Sequence, residues 1–240
     1  MIQVEGLIKS FGAVQAVRNV SFQAADGRVT ALLGPNGAGK STCLRILSTV
    51  LNADSGKAYV GGHEVGTDRN AVLSAMGVLP HATGLYTRLT ARENIAYFGE
   101  LHGIGKTALK ARIEELTSEL EMTEFIDRKV EGFSQGQRIK VALARAVVHN
   151  PQNLILDEPT NGLDVMATRA LREIILNLKS QGRCVLFSSH IMQEVANLCD
   201  DVIVIGHGEV RFQGTLDQLL SESGEADLED AFIRMAGVEE

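Results

Sequence analysis

Apolar residues recur along this chain with two different periods. In the first third they come in short runs. Ile2–Lys9 and Val17–Gln23 read as strands, Asp26-Gly27 marks a turn, and Arg28–Leu33 is an apolar strand. Lys57–Val60 follows the Asp54-Ser55-Gly56 turn, and Ala75–Leu79 is a further short apolar run. The middle third changes period. Thr90-Ala-Arg-Glu93 is a capping box, so a helix begins there. Leu109, Ile113, Leu116 and Leu120 recur at i, i+4, i+7 and i+11, which is one helical face. In the last third, strand-like runs return at Leu154–Leu156, Cys184–Phe187 and Val202–Ile205. A helix lined by Leu171, Ile174, Ile175 and Leu178 lies among them and ends before Gly182.

Strands alternating with helices imply right-handed crossovers and a mainly parallel sheet. The expected fold is α/β, with an antiparallel N-terminal portion and an inserted helical subdomain. The expected division is one unit over 1–220, its core at 1–82 and 150–220 and the helical subdomain at about 83–149. A tail follows at 221–240.

Composition narrows this picture. The 240 residues are 45% hydrophobic and 22% charged, which suits a folded chain with a sizeable core. The net charge of −7 is carried by Asp217–Glu240, with its eight acids and the single base Arg234. The rest is neutral, so an electrostatic footprint for nucleic acid or an anionic membrane is not expected. This acidic tail could regulate, cap a core helix or only solvate. The longest uncharged stretch, Asn70–Thr87, is too polar and too broken by glycine and proline to span a membrane. The start carries Glu5 where a signal core would be apolar. Three cysteines without CxxC spacing read as reduced cytosolic thiols.

Gly34-Pro35-Asn36-Gly37-Ala38-Gly39-Lys40-Ser41 matches G-x-x-x-x-G-K-[ST], between an apolar strand and a following helix pattern (Leu44, Leu47, Val50), and residues 34–42, Thr42 included, are expected to bind the nucleotide. Glycines let backbone N–H groups curl around a phosphate, and the following helix turns its positive end to the anion. Lys40 supplies a point charge for the β- and γ-phosphates, and the Ser41 hydroxyl can ligate Mg²⁺. Binding of a nucleoside triphosphate follows. Leu154-Ile155-Leu156 then runs into Asp157-Glu158-Pro159. Two adjacent acids at a strand end point apart, so Asp157 is assigned to Mg²⁺ and Glu158 to the general base.

Phe133-Ser134-Gln135-Gly136-Gln137 lies between these two motifs and resembles the LSGGQ signature of ABC transporter ATP-binding cassettes. Ser134 and Gln137 also form a capping-box pattern at a helix start, running on through Val141, Ala144 and Val148, and the two readings are compatible. The resemblance covers about residues 2–220. It implies ATP as substrate and a homodimer of two cassettes with two ATP molecules between them. Each site would take Lys40, Ser41 and Glu158 from one chain and Ser134 and Gly136 from the other. Gln135 departs from the family's usual glycine, at a place where a side chain should be tolerated.

The resemblance further implies that Asn161-Gly162-Leu163-Asp164 reaches the opposite subunit, while Asp164 also suits a helix N-cap. His190 resembles the switch histidine that contacts the γ-phosphate. Phe11 resembles the aromatic that stacks on adenine, the other possibility being a core residue. His81 stands where the family usually has glutamine. Histidine changes charge near neutrality whereas the amide does not, and His81 is expected to take over as γ-phosphate and Mg²⁺ sensor. An integral membrane permease subunit is implied as partner, docking near His81–Tyr97. Leu85, Tyr86, Leu89 and Tyr97 are either its contacts or subdomain core. The location implied is the cytoplasmic side of the inner membrane. The stretch from Leu89 to Gly103 and the tail residues Leu228–Phe232 resemble bacterial exporter cassettes serving sodium, antibiotic or drug efflux, and Leu79-Pro80-His81 is most similar to the sodium exporters. The alternative is a soluble ATPase switch of the same superfamily, and a module that holds ATP without hydrolysing it is the third reading. Cys43, just after the glycine-rich loop, is expected to block ATP binding when alkylated.

Overall fold

The computed structural model describes residues 1–237. Two sheets form, joined by their hydrophobic faces. β1 (Ile2–Phe11), β2 (Val14–Ala24), β4 (Ser55–Val60) and β5 (His63–Glu64) make an antiparallel sheet in the order β2-β1-β4-β5. Its inward residues Ile2, Val4, Leu7, Val17, Val20 and Phe22 are buried. β3 (Val29–Leu33), β6 (Met76–Leu79), β7 (Asn153–Asp157), β8 (Cys184–Ser189), β9 (Asp201–Gly206) and β10 (Glu209–Gly214) make the second sheet. Its order is β10-β9-β3-β8-β7-β6, parallel throughout except for the hairpin edge β10. The parallel strands are buried on both faces, as their uninterrupted apolar runs require.

Register carries the functional consequence. Leu79 pairs with Leu156, Asp157 with Ser188, and Leu33 with Ser189. Strands β6, β7, β8 and β3 therefore end in line. The segments that follow them, with His81, Glu158, His190 and Gly34, emerge side by side at one sheet edge. In open parallel sheets this carboxyl edge is where ligands bind.

Helices cover the sheet. α1 (Lys40–Leu47) follows β3, and α2 (Arg69–Ala75) precedes β6. Between β6 and β7 lie α3 (Ala91–Leu101), α4 (Lys106–Glu119) and α5 (Gln135–Val147). The predicted capping box at Thr90 forms, with both Thr90 and Glu93 side chains bonded to the backbone. Leu109, Ile113, Leu116 and Leu120 are all buried, as the periodicity predicts. α6 (Val165–Ser180) and α7 (Met192–Leu198) flank β8 in the chain, and α8 (Leu216–Ser223) and α9 (Leu228–Ala236) close the described residues.

One expectation changes. α1 ends at Leu47, and Val50 lies outside it with 73% of its surface exposed. The Leu44–Leu47–Val50 pattern thus overruns the helix by a turn. The acidic tail is structured as far as it is described. α9 seats Ala231 and Ala236 in the core and carries its acids outward, Asp227 serving as its N-cap. Glu239 and Glu240 lie outside the described residues.

Candidate functional site

The glycine-rich loop leaves β3 and wraps the start of α1. Gly39, at φ 106°, is the N-cap of α1, and a Cβ there would collide with the Ala16 carbonyl. The loop can therefore hold this shape only with glycine at that position. No side chain caps α1, so its first N–H groups remain available to an anion. Asn36 and Gly37 are exposed at the loop tip, Ser41 is exposed in the first helical turn, and Thr42 is half-buried behind it. Pro35 accepts from the Ala38 N–H at 3.1 Å, which closes the loop. Lys40 folds back into it and donates to the carbonyls of Gly34 and Pro35, the latter at 3.1 Å. Burial pushes the Lys40 ammonium below its usual range, against the raising influence of Glu158 and Asp157.

Glu158 follows β7 in a left-handed conformation, φ 48°, which costs a residue with a side chain about 1–3 kcal/mol. The turn is held by Ser188, whose hydroxyl donates to Asp157 Oδ1 at 2.7 Å and accepts from the Glu158 N–H at 2.9 Å. The Glu158 carboxylate, 20% exposed, then stands between two imidazoles. His190 Nδ1 lies 3.5 Å from Oε1 and His81 Nδ1 lies 3.6 Å from Oε2, both rings more than half exposed. Asn161 Nδ2 reaches Oε2 at 3.5 Å. Residues from three separate strand ends thus converge on one carboxylate that faces solvent.

The segment that carries His81 is tied down from two sides. Arg145, buried on α5, donates to the carbonyls of Thr83 (2.6 Å) and Gly84 (3.1 Å) and packs over the Phe98 ring at 4.6 Å. Asn94 on α3 exchanges hydrogen bonds with the Tyr86 backbone at 2.9 and 3.1 Å.

Ser134 and Gln135 are exposed at the N-terminus of the same α5. The Ser134 hydroxyl accepts from the Gln137 N–H at 3.2 Å, and the Gln137 side chain accepts from the Ser134 N–H at 3.0 Å. Among the described residues neither Ser134 nor Gln137 is hydrogen-bonded to Lys40 or Glu158. A Cβ at Gly136 would stand 3.1 Å from that of Ala167, in the first turn of α6, whereas Gln135 points into solvent. Asp164 caps α6 by accepting from the Ala167 N–H at 2.8 Å. Phe11 is 51% exposed with Lys9 Nζ 5.7 Å above its ring, so it is not a core residue.

Four site features escaped the sequence reading: Ser188, the Glu194–Thr160 contact, Arg145 and Asn94. Two adjacent serines ending an apolar strand were the available signal for the first. Glu194, Arg145 and Asn94 are single polar residues on helices, Thr160 lies in the turn after β7, and only burial distinguishes them. Cys43 corrects a further expectation. It is fully buried on the inner side of α1, and burial pushes its thiol up to about 12. Its alkylation in the folded protein is not a route to the nucleotide site.

A phosphate-cradling loop after β3, with a carboxylate at the end of β7, defines a P-loop nucleoside triphosphatase. The chain belongs to the ABC transporter ATP-binding cassette family, whose model, described as ABC transporter, matches residues 17–161. Over 221 residues it is 44% identical to the ABC transporter ATP-binding protein NatA of Bacillus subtilis (strain 168), covering 92% of this chain and 90% of that one. It is 36% identical to Nod factor export ATP-binding protein I of Rhizobium sp. (strain N33), covering 92% and 73%. The solved structure of an ATP-binding subunit of an ABC transporter superposes with a TM-score of 0.89 at 26% identity, covering 98% and 99%. The protein is an ATPase of the kind whose hydrolysis of ATP powers transport. No helix among the described residues is long and apolar enough to cross a membrane.

Proposed function

We propose that this chain is the ATP-hydrolysing subunit of an exporter, pairing with a second copy of itself on ATP binding and driving a separate integral membrane permease. The observation that carries the reading is the arrangement of Glu158 between His81 and His190 beside the glycine-rich loop. Lys40 would exchange the Gly34 and Pro35 carbonyls for β- and γ-phosphate oxygens, and the residues of 34–42 other than Pro35, which has no N–H, would offer backbone N–H groups to the phosphates. Phe11, exposed, would stack on adenine.

The donor set also fits Mg²⁺. This cation needs only one or two protein oxygens besides phosphates and water, and the Asp157 carboxylate is already oriented by Ser188 within reach of the same sheet edge as Ser41. When bound, Mg²⁺ would neutralise charge on the β- and γ-phosphates. Glu158 would take the proton of the attacking water, and His190 and His81 would hold that carboxylate and the γ-phosphate in place. Ser134, Gln135, Gly136, Gln137 and Asp164 sit at exposed helix N-termini apart from this carboxylate. That placement suits delivery to the ATP held by a second cassette, in a two-fold pair with equivalent sites.

Export rests on likeness to relatives, one of them named for Nod factor export, and sodium or a drug as cargo on the resemblance of Leu79-Pro80-His81 and of the stretch from Leu89 to Gly103 to exporters of that type. The permease would dock in a mainly apolar groove of 550 Å³ between α1, β6 and α3, lined by Leu44, Leu73, Pro80 and Phe98 and reaching His81 and Asp157. Tyr86 and Tyr97 stack edge to face at 5.6 Å in the same region and are exposed, whereas Leu85 packs on the core. A docked segment would therefore meet the elements that carry the hydrolytic site. The protein would lie on the cytoplasmic face of the membrane through this partner.

The test is hydrolysis by Glu158→Gln. The account expects kcat to fall by about 10²–10⁴ with ATP binding retained. A wild-type rate in that variant refutes the assignment.

A further inference from the structure

The first turn of α7 carries a carboxylate that none of these roles uses. Glu194 is only 8% exposed. Its Oε2 accepts from the Thr160 hydroxyl and from the Ser189 hydroxyl, the latter at 3.5 Å. Ser189 Oγ in turn accepts from the Ile191 N–H at 3.0 Å. Thr160 lies two residues beyond Glu158, and Ser189 and Ile191 flank His190. One buried oxygen atom therefore joins the turn that presents Glu158 to the turn that presents His190.

The neighbouring Ser188 makes the matching connection one residue earlier, to Asp157 and to the Glu158 N–H. Successive side chains of a strand point to opposite faces, so Ser188 and Ser189 bind the two turns from opposite sides of β8. The positive end of α7 favours an acid in its first turn, exposed or buried, and does not by itself account for the two hydroxyls that meet this one. Burial against two hydroxyls, both of which donate, calls for an acceptor of this length and shape.

We propose that Glu194 is a positioning residue of the hydrolytic site. With Thr160 and Ser189 it forms a latch that sets the separation of Glu158 and His190, 3.5 Å in this structure. The inference rests on the roles proposed above for those two residues. The latch touches neither nucleotide nor attacking water. Its loss displaces the general base from its histidine, and misplacement on the scale of 1 Å is enough to slow a reaction severely.

The test is steady-state ATP hydrolysis by the full chain for Glu194→Ala, Glu194→Gln and Thr160→Val. Glu194→Ala and Thr160→Val should lower kcat about tenfold or more while KM stays within about twofold, since the glycine-rich loop is untouched. Glu194→Gln keeps an acceptor oxygen at the same reach and should restore kcat to within about threefold of wild type. The double variant Glu194→Ala with Thr160→Val should be no slower than either single one, as members of one network are not additive.

Wild-type kcat in Thr160→Val and Glu194→Ala overturns the latch, as does a Gln variant as slow as the Ala variant. If Glu194→Ala does not fold, Thr160→Val decides alone. Glu158→Gln and His190→Ala run beside them. If those two hydrolyse at the wild-type rate, the reading of the site fails and the latch with it. If they stop while the latch variants run at wild-type rate, the latch alone fails.

Discussion

Glu158 illustrates how a single residue acquires its setting. Its identity and place after an apolar strand were legible in the sequence, but its two histidine neighbours come from segments 77 and 32 residues away. Register places them there, and register is a property of paired strands rather than of any one run. His81 is the most informative position. It should support hydrolysis through contact with Glu158 and the γ-phosphate. His81→Ala is expected to lower kcat about tenfold or more, and His81→Gln should retain most of it. Steady-state rates for the two variants check this, and wild-type rates and transport stimulation in both would remove His81 from the site. Cys43 marks the opposite case. Closeness in sequence to the glycine-rich loop suggested access, but α1 turns that side chain toward the sheet.

At the scale of elements, periodicity and caps carried most of the information. The capping boxes at Thr90 and Ser134 form as their spacing predicts. They also separate two roles of the same motif. Thr90→Ala and Ser134→Ala should each cost about 1 kcal/mol of stability, a fall in the melting midpoint of about 2–4 °C. Only Ser134→Ala should also reduce ATP hydrolysis, because only that cap would serve a second cassette. Thermal unfolding and ATPase assays on the pair check the distinction, and equal activity in both would reduce Ser134 to a cap.

Elements that the sequence left unread are short or lie at edges. β5 is two residues long and exists through pairing with Tyr59 and Val60. α2 spans Arg69–Ala75 and buries only Val72, too little for a periodic signal. α9 does have an amphipathic pattern, in Leu228, Ala231, Phe232, Met235 and Ala236, but the run of acids masks it, and the sequence leaves open whether the tail regulates, caps a core helix or only solvates. The close fit of Ala236 against Gly206 is a tertiary contact that no local pattern announces.

At the scale of the molecule, the helices between β6 and β7 are joined to the sheet partly through a pair of stacked histidines. His102 and His149 lie 3.6 Å apart and nearly parallel, and His149 Nε2 contacts the Met76 carbonyl at 3.1 Å. Burial, with help from His102 and Arg183, pushes His149 down to about 4 against that hydrogen bond. The unfolded chain, with an ordinary value of about 6.5, binds a proton between those limits that the folded chain does not. Stability should therefore fall as pH drops from about 6.5 to 4. Urea unfolding across this range should show a shallower loss in His149→Gln, and an unchanged slope would contradict the assignment.

The central claim is that two copies of this chain close on ATP, each completing the other's site. Molar mass by light scattering of Glu158→Gln, with and without MgATP, tests it most directly, because this variant should hold ATP without consuming it. The account predicts that the mass doubles with MgATP and that adding Ser134→Arg abolishes the doubling. A mass that stays at one chain with ATP demonstrably bound would contradict it.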